Sequence, residues 1–409
     1  MKVLIVSQYF WPENFLINDL AKSLVDKGHQ VEVLTGKPNY PSGKIFDGYK
    51  VLGIQSEMFN DVKINRIPLI PRGNTIFHLG LNYLFFVISA LICAPWALRK
   101  RKYDLIYVYC TSPTFQAIPA IFLGWIKGAP VVLWIQDLWP ESLSGTGYIK
   151  NKAFLKLVEI VVKAIYQNVE LLLVQSLAFI EPVKKLASST PVMYYPNSVS
   201  QVFNSPPKTS LTELTGLTDK FSVMFSGNIG TAQAVNVIID AATLLKEHTD
   251  IHFIVLGDGS SRDWLLKEVI SRDLSNFDLP GRFPLEAMPG FMQKASVMLV
   301  SLASDSPFTL TVPSKIQTYM AAGRPILASL DGEGARLVVH ARAGLAAPAE
   351  DPKALADAVI ALYEMTSIER DKLGANGRKY YNDNFNHDKL VDELINRFQE
   401  TVQSTKEIR

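Results

Sequence analysis

Lys315, at the start of a short predicted helix, is the residue of this sequence best positioned for chemistry. The segment around it reads PSKIQTYMAAGRPILAS, in which residues 315–322 are predicted to form a helix that ends at Gly323. The hydroxyl of Ser314 is predicted to cap that helix. Because cations and free N–H groups at a helix N-terminus bind phosphate, we expect Lys315 to contact a nucleotide diphosphate. A solvent-exposed lysine without a function would have the same local sequence.

Two glycine turns are predicted at strand ends in the same half of the chain. Residues 226–230 read SGNIG after a predicted strand at 221–225, and residues 257–260 read GDGS after a predicted strand at 251–256. Backbone N–H groups of such turns can bind phosphate. The loop 7–14 after the first strand contains no G-x-G-x-x-G pattern, which argues against a nicotinamide or flavin site there.

A carboxylate has the corresponding position in the N-terminal half. The predicted strand 130–135 leads directly into QDLWPES, which contains Asp137. A carboxylate at the carboxyl end of a buried strand can orient or deprotonate an acceptor hydroxyl. A helix cap and a loop salt bridge are the structural alternatives for Asp137.

Alternating strands and helices position these residues in both halves of the chain. The strand 2–6, an amphipathic helix and the strand 31–34 form a first βαβ unit, and the same alternation resumes at residue 221. A chain of 409 residues exceeds one ordinary core, and the segment 197–220, rich in Ser, Thr and Pro, separates the halves. We therefore predict an α/β protein of two Rossmann-like domains, residues 1–200 and 201–381, facing each other across a ligand cleft.

The segment 36–49, GKPNYPSGKIFDGY, is rich in turn residues and aromatic side chains. It follows a predicted strand, at the edge where open α/β sheets place their ligand loops. A plain surface loop is an equally good interpretation.

Charge and cysteine content exclude several classes of protein. Lys and Arg number 41 against 39 Asp and Glu, which gives a net charge of +2, so no nucleic-acid partner is expected. Cys93 and Cys110 lie among apolar or aromatic residues, which is typical of reduced thiols in the cytoplasm and offers no metal site. The chain begins with a predicted strand, and we expect no signal peptide.

Residues 79–98 form an uncharged run of twenty residues, followed by Arg-Lys-Arg-Lys at 99–102. Length and flanking charge are those of a membrane-spanning helix. Spanning is not expected, because the strands before and after the run should belong to one sheet. We predict that the segment 76–102 lies in the membrane interface, with Phe85 and Phe86 facing lipid and the basic residues meeting anionic head groups. A buried core helix is the alternative.

Several motifs, in order along nearly the whole chain, resemble those of a known family. In the second half these are the turn GDG, the segment GRFPLEAMPGFMQKASVMLVSL and PSKIQTYMAAGRPILAS. In the first half they are QYFWPEN, LTGKPNYPSG, WIQDLWPES and YYPNS. Together they resemble the family 4 glycosyltransferases, which have the GT-B fold, and within that family the L-fucosamine-type transferases of O-antigen and capsule synthesis.

The resemblance implies a reaction and a location. It implies retaining, metal-independent transfer of N-acetyl-L-fucosamine or a related amino sugar from a nucleotide-sugar donor, expected to be UDP-linked. The acceptor would be an undecaprenyl-diphosphate-linked oligosaccharide. No cofactor is implied. The protein would be cytoplasmic, peripheral or monotopic on the cytoplasmic face of the inner membrane.

The resemblance also implies roles for individual residues and for the end of the chain. Lys315 and Asp137 would be catalytic. The donor would bind to Gly227, Asn228, Gly230, Gln233, Gly257, Gly259, Arg282, Phe283, Ser314, Gln317 and Thr318. The acceptor would bind to Glu13, Asn14, Tyr40, Trp139 and Glu141. A terminal helix within residues 382–409 would return to the first domain.

The sequence departs from the wider family at charged positions. The usual pair of glutamates is absent, with Thr318 and Leu310 near their positions. Asn228 and Gln233 replace an arginine and a lysine that commonly follow the first glycine turn. Two other functions on this fold are therefore open. One is a nucleotide-sugar 2-epimerase, which needs carboxylates near the donor sugar such as Asp305; the other is a catalytically degenerate nucleotide-sugar-binding or scaffold protein.

Overall fold

The computed structural model describes residues 1–73, 75–145, 151–204, 220–304 and 306–408. These residues form two compact units, one of Met1–Pro196 together with Asp388–Arg409 and the other of Asn197–His387. Asp305 and residues 205–219 of the predicted linker lie outside the described residues.

The described part of the first unit contains one sheet of eight strands, in the order β3-β4-β2-β1-β5-β6-β7-β8. The strands are β1 (Lys2–Val6), β2 (Gln30–Thr35), β3 (Gln55–Phe59), β4 (Val62–Arg66), β5 (Leu105–Cys110), β6 (Val131–Ile135), β7 (Leu171–Val174) and β8 (Val192–Tyr194). All neighbouring pairs are parallel except β3 and β4, which are antiparallel. The predicted βαβ unit at the start of the chain is confirmed.

Seven helices of the described residues belong wholly or largely to the first unit. They are α1 (Leu16–Asp26), α2 (Ile76–Ala97), α3 (Ala117–Lys127), α4 (Glu141–Gly145), α5 (Lys152–Gln167), α6 (Ile180–Ala187) and the last helix of the chain, α15 (His387–Ile408). The last helix completes the first core: Phe398 is fully buried, and its ring meets that of Tyr107 edge to face, with 5.0 Å between centroids. The hydroxyl of Tyr195 donates to the carbonyl oxygen of Leu390, 3.1 Å away.

Helix α2 is buried along one stripe and exposed along the opposite one. Asn82, Phe86, Ala90 and Ala94 are fully buried at a spacing of four residues. The prediction that Phe86 faces outward is therefore wrong, whereas Phe85 is half-buried. The strands before and after α2, which are β4 and β5, belong to one sheet, as predicted. Within the described residues α2 alone has the length and apolar composition of a membrane-crossing helix.

The described part of the second unit contains a parallel sheet of six strands, in the order β11-β10-β9-β12-β13-β14. The strands are β9 (Phe221–Asn228), β10 (Ile251–Asp258), β11 (Phe277–Gly281), β12 (Val297–Ser301), β13 (Ile326–Ser329) and β14 (Gly344–Ala347). The helices are α7 (Val235–Leu244), α8 (Arg262–Ser271), α9 (Met288–Lys294), α10 (Ser306–Leu310), α11 (Ser314–Ala322), α12 (Glu333–His340), α13 (Pro352–Glu364) and α14 (Ser367–Asn384).

Two predictions about local structure in this unit need correction. The glycine segments are not simple turns, since β9 and β10 continue through Gly227 and Gly257 as paired strands. Ser314 is not the helix cap: it is the first residue of α11, and the cap position belongs to Pro313, whose side chain accepts no hydrogen bond. The predicted end of that helix at Gly323, which has the left-handed φ of 67°, is confirmed.

Candidate functional site

Lys315 lies in the first turn of α11, at the carboxyl edge of the second sheet. Its side chain lies across Gly227, where an added Cβ would come within 2.7 Å of the lysine Cε. The Nζ atom lies 3.6 Å from the centroid of the Phe225 ring. This nitrogen is buried and has no hydrogen-bond partner among the residues that the structure describes. Burial lowers the pKa of Lys315 to about 7. Lys315 is therefore not the exposed lysine of the alternative interpretation.

Only glycine fits where the two strand ends meet beside Lys315. Gly257 pairs in register with Gly227, and Asp258 pairs with Asn228. Gly257 has a φ of 142°, and an added Cβ would lie 1.8 Å from the carbonyl oxygen of Gly227. The close approach holds the backbone of β9 against that of β10 up to the point where Lys315 covers it.

Asn228 and Gln233 bind each other at this edge. The amide nitrogen of Asn228 donates to Oε1 of Gln233 at 3.0 Å. An added Cβ at Gly230 would lie 2.9 Å from the Asn228 Nδ2 atom, so that glycine leaves room for the pair. A neutral amide pair thus stands where the wider family commonly has two cations. Asp258 adds an exposed carboxylate, which accepts from the backbone N–H of Gly259 at 2.8 Å.

The remaining predicted donor residues differ in accessibility. Gln317 is 1% exposed, and with its amide oriented to satisfy both ends the nitrogen donates to the carbonyl oxygen of Pro313 at 3.0 Å. The prediction that Gln317 hydrogen-bonds a ribose is therefore wrong, because its amide is buried and donates to backbone carbonyl oxygens at the start of α11. Thr318 donates to the Ser314 carbonyl oxygen at 3.0 Å and keeps free acceptor capacity on its hydroxyl.

Arg282 and Phe283 follow β11 at the same edge of the sheet. Arg282 is exposed. The Phe283 ring packs against Phe291, with 4.7 Å between centroids, so that Phe283 belongs to the edge of the core. Arg282 lies two strands from Gly227 along this edge and adds a second predicted donor-site cation to Lys315.

In the first unit, Glu13 organises a loop and does not face a ligand. It is 2% exposed and accepts hydrogen bonds from the backbone N–H groups of Asn39 at 2.8 Å and Tyr40 at 2.7 Å, and more weakly from Phe10. Burial raises the pKa of Glu13 to about 7. The prediction that Glu13 binds an acceptor directly is corrected: its carboxylate is used by the backbone, and it positions Tyr40.

Asp137 begins the loop after β6 and accepts from both donors of Ser112, from the backbone N–H at 3.0 Å and from the hydroxyl at 2.8 Å. Ser112 in turn accepts from the indole nitrogen of Trp139 at 3.1 Å. Burial raises the pKa of Asp137, and the two Ser112 donors act in the opposite direction. Trp139 is 5% exposed and is a support for the carboxylate more than a contact surface.

Other acceptor-site residues remain accessible. Tyr40 is 37% exposed, with its ring centroid 5.6 Å from that of Tyr9. Asn14 is exposed, and Glu141 is half-buried. The loop 36–49 that carries Tyr40 is held from within, since Arg66 is fully buried and donates to the carbonyl oxygen of Gly36 at 3.0 Å.

Comparisons with known proteins decide the family. The model described as "Glycosyl transferases group 1" matches residues 220–365, and the "Glycosyl transferase 4-like domain" matches residues 16–197. The probable glycosyltransferase WbjE of Pseudomonas aeruginosa is 25% identical over 342 residues, which cover 81% of each chain. The chain is a glycosyltransferase. The putative colanic acid biosynthesis glycosyl transferase WcaI of Escherichia coli is likewise 25% identical, over 79% of this glycosyltransferase and 82% of WcaI.

Solved structures show that this glycosyltransferase has the GT-B fold. Anabaena HepE, crystallised with UDP, has a TM-score of 0.70 at 14% identity, covering 98% of this chain and 100% of HepE. The sucrose-phosphate synthase of Thermosynechococcus elongatus has a TM-score of 0.75 at 16% identity, covering 98% and 99% of the two chains. Within the described residues no cluster of three or more His, Cys, Asp and Glu could hold a metal ion.

An exposed apolar surface of the glycosyltransferase extends beyond the helix that the sequence indicated. Helix α2 packs against α3, and α3 packs against α5. We call the exposed large apolar side chains of these helices the three-helix apolar face: Phe77, Leu84, Ile88, Ile92 and Trp96 of α2, Trp125 and Ile126 of α3, and Phe154, Leu157 and Ile160 of α5. Exposed Lys152, Lys156 and Lys163 accompany it on α5.

One of the four basic residues after α2 is not available to a membrane. Arg101 forms an ion pair with the buried carboxylate of Glu32. The prediction that all four residues 99–102 meet head groups is therefore corrected: only Arg99, Lys100 and Lys102 of this cluster are exposed.

Sequence reasoning missed two cations of the first unit. Lys37 is fully buried and donates to Oε1 of Gln55. Arg72, between β4 and α2, lies over the ring of Tyr40, with 5.2 Å from Cζ to the centroid. Lys37 is in the aromatic loop that the sequence singled out, whereas Arg72 lies in the segment between β4 and α2, which carries no motif.

Proposed function

We propose that this glycosyltransferase transfers a sugar from a UDP-linked donor to a lipid-linked oligosaccharide, without a metal and with retention of the anomeric configuration. The observation that carries the proposal is the buried, unpartnered ammonium group of Lys315 against Gly227. A buried cation without a partner is costly, and an anion that reaches it removes that cost. The diphosphate of a nucleotide sugar is the anion that a glycosyltransferase brings to such an edge.

Uridine is the base that the comparisons favour. Structures of Anabaena HepE with the same fold contain UDP and, in one case, UDP-glucose. In this chain the N-terminus of α11 carries no side-chain cap, so that its first N–H groups are available together with Lys315. Thr318, one turn further along α11, has an acceptor oxygen for a ribose hydroxyl.

Lys315 acts on the leaving group. As the bond between the sugar and the diphosphate breaks, the electron pair passes to the phosphate oxygen, and the ammonium charge stabilises it. The acceptor hydroxyl attacks the anomeric carbon on the same face, and its proton passes to that phosphate oxygen. Asp137 accepts a hydrogen bond from the acceptor hydroxyl and orients it, with Ser112 and Trp139 holding the carboxylate in place.

The sugar and the pathway are finer parts of the same proposal. The first-half motifs favour N-acetyl-L-fucosamine or a related amino sugar, in the synthesis of O-antigen or capsule. The name of WcaI, a relative assigned to colanic acid biosynthesis, supports a related biosynthetic role.

The membrane surface is the proposed location of the acceptor. The three-helix apolar face has large apolar side chains up to 72% exposed, at Phe77, and lysines beside it. Apolar side chains flanked by lysines are typical of surfaces that lie in the interface of an anionic bilayer. We propose that this face contacts the cytoplasmic surface of the inner membrane.

Nucleotide binding followed by transfer tests the function. UDP, GDP and dTDP, and UDP-linked amino sugars, are screened for a rise in Tm with the wild type and with Lys315→Met. We expect UDP compounds to raise the Tm of the wild type more than that of the variant. Transfer is then measured with a membrane lipid extract as acceptor. Stabilisation that is equal in both proteins contradicts the site, epimer formation without acceptor indicates an epimerase, and binding without turnover indicates a binding protein.

A further inference from the structure

Arg72 is fixed by its backbone at the carboxyl edge of the first sheet. Its N–H donates to Oδ1 of Asn39 at 2.9 Å, and Asn39 is fully buried. The next residue, Gly73, donates its N–H to the carbonyl oxygen of Gly43. The loop after β4 is thus tied to the loop after β2, where Tyr40 lies, and the backbone of Arg72 is held by the buried Asn39.

The guanidinium group of Arg72 has unused donors. It is half-buried on the Tyr40 ring, and among the residues that the structure describes it forms no side-chain hydrogen bond and no ion pair. An arginine side chain has five N–H donors in a planar fork that matches a phosphate group. Neither Glu13 nor Asp137 forms an ion pair with it: Glu13 accepts hydrogen bonds from backbone N–H groups, and Asp137 accepts from Ser112.

Arg72 and Asp137 act on the same phenol, that of Tyr83 on α2. Burial raises the pKa of Tyr83 to about 12, while the charge of Arg72 lowers it and that of Asp137 raises it. Burial raises the pKa of Tyr9, and the charge of Arg72 acts in the opposite direction. The free guanidinium group is therefore on the same side of the unit as the carboxylate that we assign to the acceptor hydroxyl.

The three-helix apolar face begins at the N-terminal end of α2, close in sequence to Arg72. Phe77, the first residue of that face, is five positions after Arg72 and 72% exposed. The face then continues along α2 through Leu84, Ile88 and Ile92. An apolar chain lying on this face would bring a phosphate at its end to Arg72.

We propose that Arg72 binds the diphosphate of a polyprenyl-diphosphate-linked acceptor, whose isoprenoid chain lies along the exposed stripe of α2. The proposal rests on the function proposed above and names the group by which the acceptor is held. Arg72 is a binding residue for the acceptor and has no part in donor binding. It orients the sugar at the end of the diphosphate toward Asp137.

Farnesyl diphosphate is the probe, in titration calorimetry with the full chain and without membranes. We expect Arg72→Gln to weaken its binding by about 10-fold or more, since a hydrogen-bonded charge pair is lost. Arg72→Lys, which keeps the charge and loses the fork, should retain part of the affinity. The matched control is Lys44→Gln, which removes an exposed positive charge from the neighbouring loop and should change the affinity less than twofold.

Each comparison can overturn the inference. Equal losses in Arg72→Gln and Lys44→Gln indicate general electrostatic attraction, and equal binding of farnesol indicates that the phosphates are not recognised. Inorganic pyrophosphate bound as tightly as farnesyl diphosphate indicates an anion site without a lipid. UDP binding is measured on every variant, and its persistence shows that the donor site of the second unit is intact. If farnesyl diphosphate does not bind to the wild type while UDP does, the acceptor site is wrong and the donor site stands.

Discussion

The ammonium nitrogen of Lys315 lies 3.6 Å from the centre of the Phe225 ring. Contact with the face of an aromatic ring stabilises a cation, but it replaces only a part of the hydration that burial removes. The ligand-free site therefore has a charge held at a free-energy cost, which an arriving phosphate reduces. Affinity for the donor and stability of the free protein are coupled through this one nitrogen.

UDP affinity should fall with pH above the pKa of Lys315. Because that pKa is about 7 in the free protein and a bound phosphate raises it, binding above pH 7 must take up a proton. The affinity should fall by up to about tenfold per pH unit between about pH 7 and 8.5, where the charge of UDP changes little. Calorimetry in two buffers of different ionisation enthalpy measures the proton uptake. Lys315→Met should bind more weakly and without this slope; an equal slope in both proteins would contradict the site.

Lys315→Met should also stabilise the free protein. A lysine whose pKa is lowered on folding destabilises the folded state most below the folded pKa, about 7 here, and the penalty disappears as pH rises toward the unfolded value. We expect a Tm higher by about 5 °C at pH 6 to 7, and a difference that shrinks by pH 10. The exposed Lys372→Met is the control and should change little. A variant less stable than the wild type at pH 7 would refute the buried charge.

Gly257→Ala should unfold the second unit or nearly so. The new Cβ would lie 1.8 Å from the Gly227 carbonyl oxygen, and backbone atoms of paired strands cannot move apart cheaply. We expect a loss above about 4 kcal/mol in the free energy of unfolding. Gly53→Ala is the control, with a φ of 80° but nothing within 4 Å of the added carbon, and should cost about 1–2 kcal/mol. Equal denaturant midpoints for both variants would contradict the close contact between the ends of β9 and β10.

Asp137→Asn should lower turnover and leave the fold intact. The asparagine oxygen can still accept from Ser112, but the negative charge that strengthens a hydrogen bond from the acceptor hydroxyl is lost. We expect kcat for sugar transfer to fall by about 10-fold or more, with unchanged UDP affinity. If kcat stays within threefold of the wild type, Asp137 has only the structural role of holding Ser112.

Ile92→Asn should reduce binding to vesicles that contain anionic lipid. Ile92 is 71% exposed in the middle of the three-helix apolar face, so the substitution removes apolar contact area without disturbing the core. The matched control is Ile270→Asn, on α8 of the second unit, with the same exposure of 71%. Sedimentation with vesicles should show weaker binding for Ile92→Asn alone. Equal binding of both variants would exclude this face, and concentration-dependent dimers lost in Ile92→Asn would indicate a second copy of the chain as its partner.

Strands could be predicted from the sequence where they are buried, because buried strands are continuous runs of apolar residues. The strands β1, β5, β6 and β9 are runs of buried apolar residues, and each was found. β3, β4, β11 and β14 were not predicted. In β3 and β11 the reason is the composition: QSEMF is half-exposed and polar and FDLPG contains proline and glycine, so that neither has an apolar period. Their place in the sheet depends on pairing with β4 and β10, which a linear pattern does not contain.

The residues of the candidate site could be named from the sequence, but the hydrogen bonds that they form could not. The resemblance assigned Lys315 and Gly227 to one donor site, and in the structure the lysine side chain lies against that glycine. That Gln317 turns inward, and that Glu13 is used by the N–H groups of Asn39 and Tyr40, depends on backbone groups with no side-chain signature. Arg72 was overlooked for the same reason, since its position is fixed by a hydrogen bond from its own backbone.

Helix α15 supplies Leu394 and Phe398 to the core that β1 and β5 begin, so the first unit lacks part of its interior until the last residues are present. During translation the core of the first unit stays incomplete until α15 has been synthesised, after the whole second unit. Removal of residues 388–408 should therefore destabilise the first unit, although these residues follow the second unit in the chain.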